Sequence, residues 1–455
     1  MKRIHFIAIG GSAMHNLAIA LHKAGYIVTG SDDEIFEPSR SRLSKLGLLP
    51  DKEGWFPEKL KQNPDAVILG MHARKNNPEL LEAQRLGLKI FSYPEYLYRH
   101  SAEKTRVVIG GSHGKTTTTA MVLHALHYHN IDTDFMVGAQ LDGFDTMVSL
   151  SEKNRAMIME GDEYLTSPID LRPKFHIYKP HIAVITGIAW DHMNVFPTYE
   201  NYLEQFRVFI RKIVSGGTLI YNTADEEVVR LVEEESRSDL TLKPYELPDY
   251  EVTEGRIILH AAGNKWPLQI YGQHNLLNLE AAKQVTEKLG VDAESFYEAM
   301  KTFRGASGRM EVLYKDEAFT IIRDFAHAPS KLKATIEAVR ETYPERQLTA
   351  VMELHTYSSL NKNFLPQYSG SMKTADQKVI FFTPHTLEMK KLPVLLPEEV
   401  KTFFDDPQLS VFTNTKSLSS FLSGISKQNR VLLLMSSGSF GGIDLFSLIS
   451  EVKKK

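Results

Sequence analysis

The amino-acid sequence predicts an α/β protein that consists of three consecutive α/β domains. Short apolar runs of strand length alternate with longer amphipathic runs of helical length along nearly all of the 455 residues, as in parallel sheets covered by helices. A chain of this length corresponds to about three domains of roughly 150 residues each. Two glycine-rich turns, at 10–11 and 110–114, each stand between a strand run and a helix run. This placement is typical of phosphate-binding loops.

Two breaks in the alternation mark the expected domain boundaries. A polar stretch, Arg99–Arg106, ends the first series of runs, and Phe303–Arg309, which is rich in small residues, precedes a restart of the pattern. We expect a Rossmann-like domain over 1–101, a central P-loop domain over 102–302 and a Rossmann-like domain over 303–455.

The strand and helix runs can be assigned in chain order from their lengths and periodicity. The first domain is expected to contain strands Arg3–Ile9, Tyr26–Ser31, Ala66–Met71 and Leu88–Ser92, and helices Ala13–Lys23 and Ser39–Leu46. The central domain is expected to contain strands Val107–Gly110, Ala156–Glu160 and Ile182–Thr186, a helix from Lys115, a β-like segment over Gly255–Ile270 and helix Asn275–Leu289. The last domain is expected to contain strands Phe319–Phe325, Leu348–Glu353, Lys378–Phe382 and Arg430–Met435, helix Ser330–Thr342 and a final helix.

Composition excludes several classes of protein. With 53 Lys+Arg and 56 Asp+Glu, the formal charge of −3 argues against a protein that coats nucleic acid. The sequence has no cysteine, which excludes disulfides, thiolate metal sites and cysteine nucleophiles. The apolar amino terminus is interrupted by Gly10-Gly11 before it completes a signal peptide, and no apolar run reaches the about 18 residues of a membrane span. We therefore expect a soluble cytoplasmic protein with no nucleic-acid or membrane partner.

The first glycine turn is a candidate phosphate site. Gly10, Gly11, Ser12 and Met14 lie where backbone N–H groups and a helix dipole can hold an anion. Asp32 ends the next strand, where an acid often meets a ribose hydroxyl. The dinucleotide fingerprint G-x-G-x-x-G would need glycine at positions 8 and 13, which are alanine here. Three interpretations stay open: a nucleotide or diphosphate site, an NAD or FAD site, and a plain tight turn.

The second glycine turn carries the sharpest chemical signal. Its glycines allow backbone amides to face a phosphate, Lys115 can reach the β- and γ-phosphates, and Thr116 can place a hydroxyl on Mg²⁺. Ile109 stands where the longer G-x-x-x-x-G-K-[ST] form has glycine, so this is the shorter G-x-x-G-K-T form. Glu160 ends an apolar strand and is expected beside the turn, where it can help to hold Mg²⁺. The alternative for the turn is a chance Gly-Lys pair in a loop, and the alternative for Glu160 is an acidic residue on the surface.

Motifs along nearly the full length resemble those of the Mur ligases, the ATP-dependent enzymes that join amino acids or peptides to UDP-N-acetylmuramic acid. In chain order they are G-S-H-G-K-T-T-T at 111–118, M-E-G-D-E-Y at 159–164, W-D-H at 190–192, G-Q-H-N-L-L-N at 272–278, F-R-G-A-S-G-R-M-E at 303–311 and D-F-A-H at 324–327. The departures from the family motifs are Ser112, Gly187, Ala189 and Gly308.

The resemblance implies three binding sites and an amide synthesis in which ATP phosphorylates a carboxylate that an amine then attacks. It assigns ATP to Gly111, Ser112, His113, Gly114, Lys115, Thr116, Thr117, His274, Asn275, Asn278, Arg309 and Asp324. It assigns catalysis to Lys115, Glu160 and His192, and Mg²⁺ to Thr116, Glu160 and His192. It assigns the UDP-linked substrate to Gly10, Gly11, Ser12, Met14, Asp32, His72 and Asn77, and the peptide to His327, His355, Tyr357, Phe440, Gly441 and Gly442. Helix capping by Asn275 and structural roles for His192, Arg309 and Asp324 are the alternatives.

Within the family, M-S-S-G-S-F-G-G-I at 435–443 resembles the murein tripeptide ligase branch. That branch attaches L-alanyl-γ-D-glutamyl-meso-diaminopimelate to UDP-N-acetylmuramate in peptidoglycan recycling. We expect this activity, with the glycines of the segment leaving backbone N–H groups free for a peptide carboxylate, in a monomer or weak homodimer. The alternatives are the muramate–alanine ligase branch, a non-catalytic nucleotide-binding regulator and an NAD-type oxidoreductase.

Overall fold

The structure is a computed structural model that describes residues 2–141, 143–190, 193, 195–235, 237–253, 255–305 and 309–444. These residues form two compact units. As far as they are described, the first comprises Met1–Ile188, Glu200–Glu246 and Ala281–Phe296, and the second comprises Ala189–Tyr199, Leu247–Glu280 and Tyr297–Lys455.

The first unit begins with a parallel four-stranded sheet and its helices. The elements are β1 (Arg3–Ile7), α1 (Ser12–Lys23), β2 (Ile27–Ser31), α2 (Ser39–Ser44), β3 (Ala66–Leu69), α3 (Pro78–Arg85), β4 (Ile90–Ser92) and α4 (Tyr93–His100). The strand order is β2-β1-β3-β4, with Ile4 opposite Val28 on one side and Ala66 on the other. The start of α4 is fixed by a capping box, in which Ser92 and Glu95 satisfy each other's backbone N–H groups.

A seven-stranded sheet follows in the same unit. Its elements are β5 (Thr105–Gly110), α5 (Lys115–Tyr128), β6 (Asp134–Met136), β7 (Val148–Ser149), β8 (Ala156–Gly161), β9 (Ile182–Ile185), α6 (Tyr199–Arg211), β10 (Thr218–Asn222), α7 (Glu226–Glu234) and β11 (Thr241–Tyr245). The strand order is β11-β10-β9-β5-β8-β6-β7, and all pairs are parallel except β6 with β7. Because β5 lies between β8 and β9, the turn after β5 meets the carboxyl ends of both neighbours.

A small antiparallel sheet and two helices come next. They are β12 (Tyr250–Thr253), β13 (Arg256–Ala261), β14 (Asn264–Leu268), α8 (Gln273–Lys288) and α9 (Ala293–Met300). The segment expected to be β-like is therefore a hairpin of β13 and β14, in which Ala261 pairs with Asn264. Ala262 and Gly263 both have positive φ, as a two-residue hairpin turn of type I′ requires.

The second unit ends in a six-stranded sheet. Its elements are β15 (Glu311–Lys315), β16 (Phe319–Asp324), α10 (Pro329–Thr342), β17 (Gln347–Glu353), β18 (Gln377–Phe381), α11 (Pro384–Met389), α12 (Pro397–Phe404), β19 (Ser410–Phe412), α13 (Thr415–Ser423) and β20 (Arg430–Met435). The order is β15-β16-β20-β17-β18-β19, parallel except for β15 with β16. Ile322, Ile336 and Met352 belong to the buried core between this sheet and α10.

The predicted α/β class is confirmed by three mainly parallel sheets in the described residues. The predicted strands are present, mostly with bounds shifted by one or two residues. Several elements, among them α6, α7 and α11 to α13, were not predicted. The final helix expected after β20, the residues 306–308 of the expected hinge and the departure Gly308 lie outside the described residues. In the part of the chain that is described, no helix is both long and apolar enough to cross a membrane.

Candidate active site

The second glycine turn lies between β5 and α5 and is held by the end of β9. Gly111 has a φ of +133°, and a Cβ atom at this position would overlap the Thr186 hydroxyl. That hydroxyl donates to the His113 carbonyl, and the Ser112 N–H donates to the Gly187 carbonyl at 2.9 Å. Glycine at position 111 is therefore required by both conformation and space. Gly187 supports the turn through its backbone carbonyl, which a residue of any type provides. The departure from the family motif at this position therefore leaves this contact in place.

Lys115 is buried and places its ammonium group against a carboxylate. Its Nζ donates to Glu163 Oε2 at 2.8 Å and to the Gly111 carbonyl at 2.6 Å. Burial alone would lower the pKa of Lys115, but the charges of Glu163, Asp162 and Glu160 outweigh it and raise the pKa above its ordinary value. Lys115 therefore carries a fixed positive charge at the carboxyl edge of the sheet.

Thr116 and Glu160 come together as the sequence predicts. The Thr116 hydroxyl donates to Glu160 Oε1 at 2.6 Å, and the Gly138 N–H donates to Glu160 Oε2 at 2.6 Å. Burial raises the pKa of Glu160, and the Asp162 charge adds to this, against the opposing effects of Thr116, Lys115 and Gly138. Because burial makes the ionised form of Glu160 unfavourable, a cation bound beside this carboxylate would stabilise that form.

The Thr116 hydroxyl and the Glu160 carboxylate fit Mg²⁺ in their chemistry. Mg²⁺ prefers oxygen ligands and is often held by one or two protein groups together with substrate phosphates. No cluster of three or more His, Asp or Glu that could hold a metal by itself occurs among the described residues. His192, predicted as a third ligand, lies outside the described residues, as does Asp191.

Glu163 is a member of this site to which the sequence analysis gave no role. Besides binding Lys115, its Oε1 accepts a hydrogen bond from the Tyr202 hydroxyl at 3.3 Å, and the Tyr202 hydroxyl lies 2.7 Å from the Ser112 hydroxyl. The signal that could have identified it is its position two residues after β8, at the same sheet edge as Glu160. Tyr202 comes from α6, which no motif in the sequence indicates.

The first glycine turn follows β1. Its backbone has positive φ at a position where the dinucleotide fingerprint has glycine but this chain has alanine. Ala8, at the position of the first glycine in the dinucleotide fingerprint, has a φ of +69°. The Gly10 N–H donates to Asp32 Oδ2 at 2.7 Å. Burial raises the pKa of Asp32 to about 6, against the opposing effect of the Gly10 N–H. Of the other assigned residues, Ser12 begins α1 and Met14 is buried in it.

His72 and Asn77, assigned to the UDP-linked substrate, differ in their surroundings. His72 is exposed next to the first turn, with its Nδ1 3.7 Å from where a Cβ of Gly11 would lie. Asn77 is buried and caps α3, because its Oδ1 accepts the N–H groups of Glu79 at 3.0 Å and Leu80 at 3.1 Å. The structure thus gives Asn77 a capping role that the sequence analysis did not assign.

In the second unit, His274 and Asp324 lie within electrostatic reach of each other. Burial lowers the pKa of His274, and the Asp324 charge opposes this effect. Asp324 is also buried; its Oδ1 accepts the Met310 N–H at 2.9 Å and its Oδ2 accepts the Thr335 hydroxyl at 2.8 Å. Two residues from separate motifs, assigned to ATP from the resemblance, therefore belong to one cluster.

Asn275 and Asn278 belong to the first turns of α8. Asn278 Nδ2 donates to Asn275 Oδ1 at 3.2 Å, and Asn275 Nδ2 donates to the Tyr271 carbonyl at 2.9 Å. Because α8 begins at Gln273, Asn275 lies inside the helix, and the alternative that it is the N-cap is wrong.

The predicted Arg309 and His327 both contact Phe325. The Arg309 guanidinium lies 4.5 Å from the Phe325 ring centroid. His327 is buried, and its Nδ1 lies 2.9 Å from the Phe325 carbonyl. The Tyr368 hydroxyl donates to the His327 carbonyl. Phe325 itself is partly exposed and holds these two assigned residues on one surface.

The segment after β20 differs from its prediction. The buried Glu353, at the end of β17, accepts the Phe440 N–H at 2.8 Å, the Gly441 N–H at 3.2 Å and the Ser436 hydroxyl. The Gly442 N–H donates to the Ser439 carbonyl at 3.0 Å. The expectation that the glycine N–H groups are free for a peptide carboxylate is therefore wrong, because the N–H groups of Gly438, Gly441 and Gly442 donate to Ser436, Glu353 and Ser439.

His355 and Tyr357 lie beside this cluster and reach solvent. His355 is 41% exposed, with its Nδ1 3.9 Å from Glu353 Oε1, and Tyr357 is 38% exposed. A Cβ at Gly438 would come within 2.7 Å of His355 Nδ1 and 2.8 Å of Glu353 Oε2. Glycine at 438 thus allows the loop to lie against both side chains.

The assigned ATP-binding residues are divided between the two units. The first unit contains the turn residues with Lys115, Thr116 and Glu160, and the second contains His274, Asn275, Asn278, Arg309 and Asp324. Within each unit the assigned residues form a local cluster.

Comparison with known proteins covers the whole chain. Three family models match in order: the Mur ligase family catalytic domain over residues 3–105, the Mur ligase middle domain over 109–286 and the Mur ligase glutamate ligase domain over 308–438. A UDP-N-acetylmuramate--L-alanine ligase of Caldanaerobacter subterraneus is 30% identical, with 83% of this chain and 82% of the relative covered. An enzyme of the same name from Desulforamulus reducens is 28% identical over 100% of this chain and 98% of its own length.

Solved structures of two kinds of ligase are similar in fold. The UDP-N-acetylmuramate:L-alanyl-gamma-D-glutamyl-meso-diaminopimelate ligase of Neisseria meningitides has a TM-score of 0.60 at 25% identity, covering 67% of this chain and 98% of that one. The UDP-N-acetylmuramate-alanine ligase of Thermotoga maritima has a TM-score of 0.71 at 21% identity, covering 100% and 99%. The chain belongs to the Mur ligase family, whose members are ATP-dependent amide-bond ligases.

Proposed function

We propose that this enzyme joins the amino group of L-alanyl-γ-D-glutamyl-meso-diaminopimelate to the carboxylate of UDP-N-acetylmuramate while ATP is cleaved to ADP and phosphate. The observation that carries the proposal is the buried Lys115 ammonium, set at one sheet edge with the hydrogen-bonded pair of Thr116 and Glu160. A fixed cation and an oxygen pair suited to Mg²⁺ are the groups that phosphoryl transfer needs.

The reaction divides into two steps. The lactyl carboxylate of the sugar takes the γ-phosphoryl group of ATP, which releases ADP and forms an acyl phosphate. The amine then attacks the acyl carbon, and the tetrahedral intermediate expels phosphate and loses a proton to give the amide. Lys115 would face the transferring phosphoryl group, and the backbone of Gly111–Thr117 would surround the phosphates. Positioning and charge neutralisation supply the rate enhancement.

Thr116 and Glu160 would hold Mg²⁺, with His192 as a proposed further ligand. When bound, the ion supplies positive charge that offsets the charge developing on the phosphates. Since burial raises the pKa of Glu160, a bound cation would favour the charged form of this carboxylate. Displacement of the Glu160 carboxylate should therefore raise the Mg²⁺ concentration that gives half-maximal rate.

The remaining assignments follow the domain order that the sequence predicts. The domain over 1–101 would take the UDP-linked substrate at the Gly10–Met14 turn, with Asp32 accepting a ribose hydroxyl. The domain over 102–302 would take the ATP phosphates, and the domain over 303–455 the peptide. Both nucleotide substrates belong to the cytoplasm, which supports the expected location.

Two observations support the tripeptide as the amine. The segment 435–443 resembles the tripeptide ligase branch, and among the described residues a Cβ at Gly442, unlike one at Gly438, would have no heavy atom within 4 Å. The exposed polar groups of His355 and Tyr357 are proposed to bind the peptide, since the loop N–H groups around Glu353 already have partners.

L-Alanine is the second candidate amine. Its support is the group of curated relatives, which at 28–30% identity carry the name UDP-N-acetylmuramate--L-alanine ligase.

A ligation assay that offers the tripeptide and L-alanine separately decides between them. We expect kcat/KM for the tripeptide to exceed that for L-alanine by at least about 100-fold, which corresponds to roughly 2.7 kcal/mol of transition-state binding. His355→Ala should raise KM for the tripeptide and leave KM for ATP unchanged. A higher kcat/KM for L-alanine would overturn the tripeptide assignment, and failure of both amines with ATP and Mg²⁺ present would overturn the ligase proposal.

A further inference from the structure

We propose that Glu163 is a positioning residue that holds Lys115 in the nucleotide-free enzyme, and that ATP binds by replacing this carboxylate on the Lys115 ammonium with phosphate oxygens. The inference rests on the proposed ATP site at the second glycine turn. Glu163 stands inside the M-E-G-D-E-Y motif at 159–164, but neither the assignments drawn from the resemblance nor the reaction scheme above gives this side chain a role.

The first observation is the geometry of a buried ion pair at the place where phosphate is expected. Lys115 Nζ lies 2.8 Å from Glu163 Oε2, and the two side chains are only 10% and 1% exposed. A lysine ammonium has three donors, and Glu163 and the Gly111 carbonyl accept two of them. Phosphate oxygens that approach Lys115 must therefore compete with an anion that is already bound.

The second observation is that Glu163 is fixed from its far side. Its Oε1 accepts the Tyr202 hydroxyl at 3.3 Å, and that hydroxyl lies 2.7 Å from the Ser112 hydroxyl of the turn. Lys115, by contrast, carries its charge on a flexible four-carbon stem. The exchange is therefore expected through movement of the Lys115 ammonium, with Glu163 remaining in place.

The pair has opposite consequences for the free and the nucleotide-bound enzyme. In the free enzyme Glu163 neutralises a buried charge, and removal of one partner of such a pair is strongly destabilising. When ATP is present, the same carboxylate competes with the phosphates and repels them, which reduces affinity. A neutral side chain at 163 should make the free enzyme less stable and the binding of ATP tighter.

Calorimetry and thermal unfolding of the full chain test this. We expect Glu163→Gln to lower Tm without nucleotide, to bind ATP about tenfold more tightly than the parent and to show a larger ATP-induced rise in Tm. Tyr202→Phe, which removes one hydrogen bond to Glu163, should change ATP affinity in the same direction by a smaller factor.

The matched control is a buried lysine–acid pair outside the site. Lys104 Nζ lies 2.5 Å from Asp134 Oδ2, with the side chains 7% and 0% exposed. Asp134→Asn should also lower Tm but leave ATP affinity unchanged. Asp134→Asn therefore shows whether a loss of stability by itself changes ATP affinity, and we expect that it does not.

ATP affinity of Glu163→Gln that is equal to or weaker than that of the parent would overturn the exchange. It would mean that Glu163 either favours ATP binding or has no effect on it. If Glu163→Gln does not fold, unchanged ATP affinity in Tyr202→Phe would overturn it instead. If the parent enzyme binds no ATP, or binds it equally well after Lys115→Ala, the proposed nucleotide site fails and the inference fails with it. If ATP binding is lost in Lys115→Ala but is equally tight in the parent and in Glu163→Gln, only the exchange is refuted and the proposed nucleotide site stands.

Discussion

Gly138→Ala should displace the Glu160 carboxylate without changing any group that reacts. A Cβ at 138 would lie 2.7 Å from Glu160 Oε2, so the two atoms must separate by about 0.7 Å to reach an ordinary contact. Metal ligands tolerate a deviation of only about 0.2 Å. Since a misplacement of about 1 Å can cost 100-fold in rate, we expect kcat/KM to fall about 10- to 100-fold, or roughly 1.4–2.7 kcal/mol.

The assay is ligation at saturating ATP as a function of Mg²⁺ concentration. Gly138→Ala should raise the Mg²⁺ concentration that gives half-maximal rate and should leave ATP binding without Mg²⁺ unchanged. The control is Gly424→Ala, whose Cβ would meet its neighbours at ordinary distances of 3.4 Å and 3.6 Å. A rate and Mg²⁺ dependence within twofold of the parent would refute the argument that Glu160 must keep its position beside Thr116.

Three further predictions concern charge, packing and pH. Lys115→Ala should abolish ligation while the protein stays folded, because it removes the cation that is proposed to face the phosphoryl group; turnover within about tenfold of the parent contradicts this. Gly272→Ala should lower Tm by several degrees more than Gly290→Ala, since both positions have positive φ but only at 272 would the Cβ overlap Ala338; equal shifts would exclude the overlap as the cause. The pKa of Asp32 is raised to about 6 on folding, so its contribution to stability is present below pH ~4 and is lost as the pH rises through 6. Asp32→Asn should therefore gain stability relative to the parent between pH 4 and 7 in denaturant titrations, and a constant difference across this range contradicts the shift.

The parts of the site that the sequence predicts correctly are those fixed by local order along the chain. Val107–Gly110, the glycines and the helix from Lys115 follow one another directly, so the turn after β5 is visible in the sequence. The meeting of Glu160 with Thr116 is predictable because parallel strands end at the same sheet edge.

The parts that could not be predicted depend on contacts between distant segments. Gly138 meets Glu160 because β6 pairs with β8, and no motif indicates that pairing. The free N–H groups expected at Gly438, Gly441 and Gly442 were an error of the same kind, since the Gly441 N–H donates to Glu353, which lies 88 residues away in the sequence. At position 8 the sequence rule asks for glycine, yet alanine adopts the left-handed conformation there.

The bracing of the second glycine turn by the end of β9 has a consequence for the entropy of nucleotide binding. The contacts of Ser112 with Gly187, and of His113 with Thr186, fix the turn's backbone when the domain folds. The conformational entropy of ordering these residues is therefore lost once, during folding, and would not be lost again for each ATP molecule that binds at this proposed site. Substitution of Thr186 would return part of that cost to the binding step, and ATP affinity would decline although Thr186 is assigned no contact with the nucleotide.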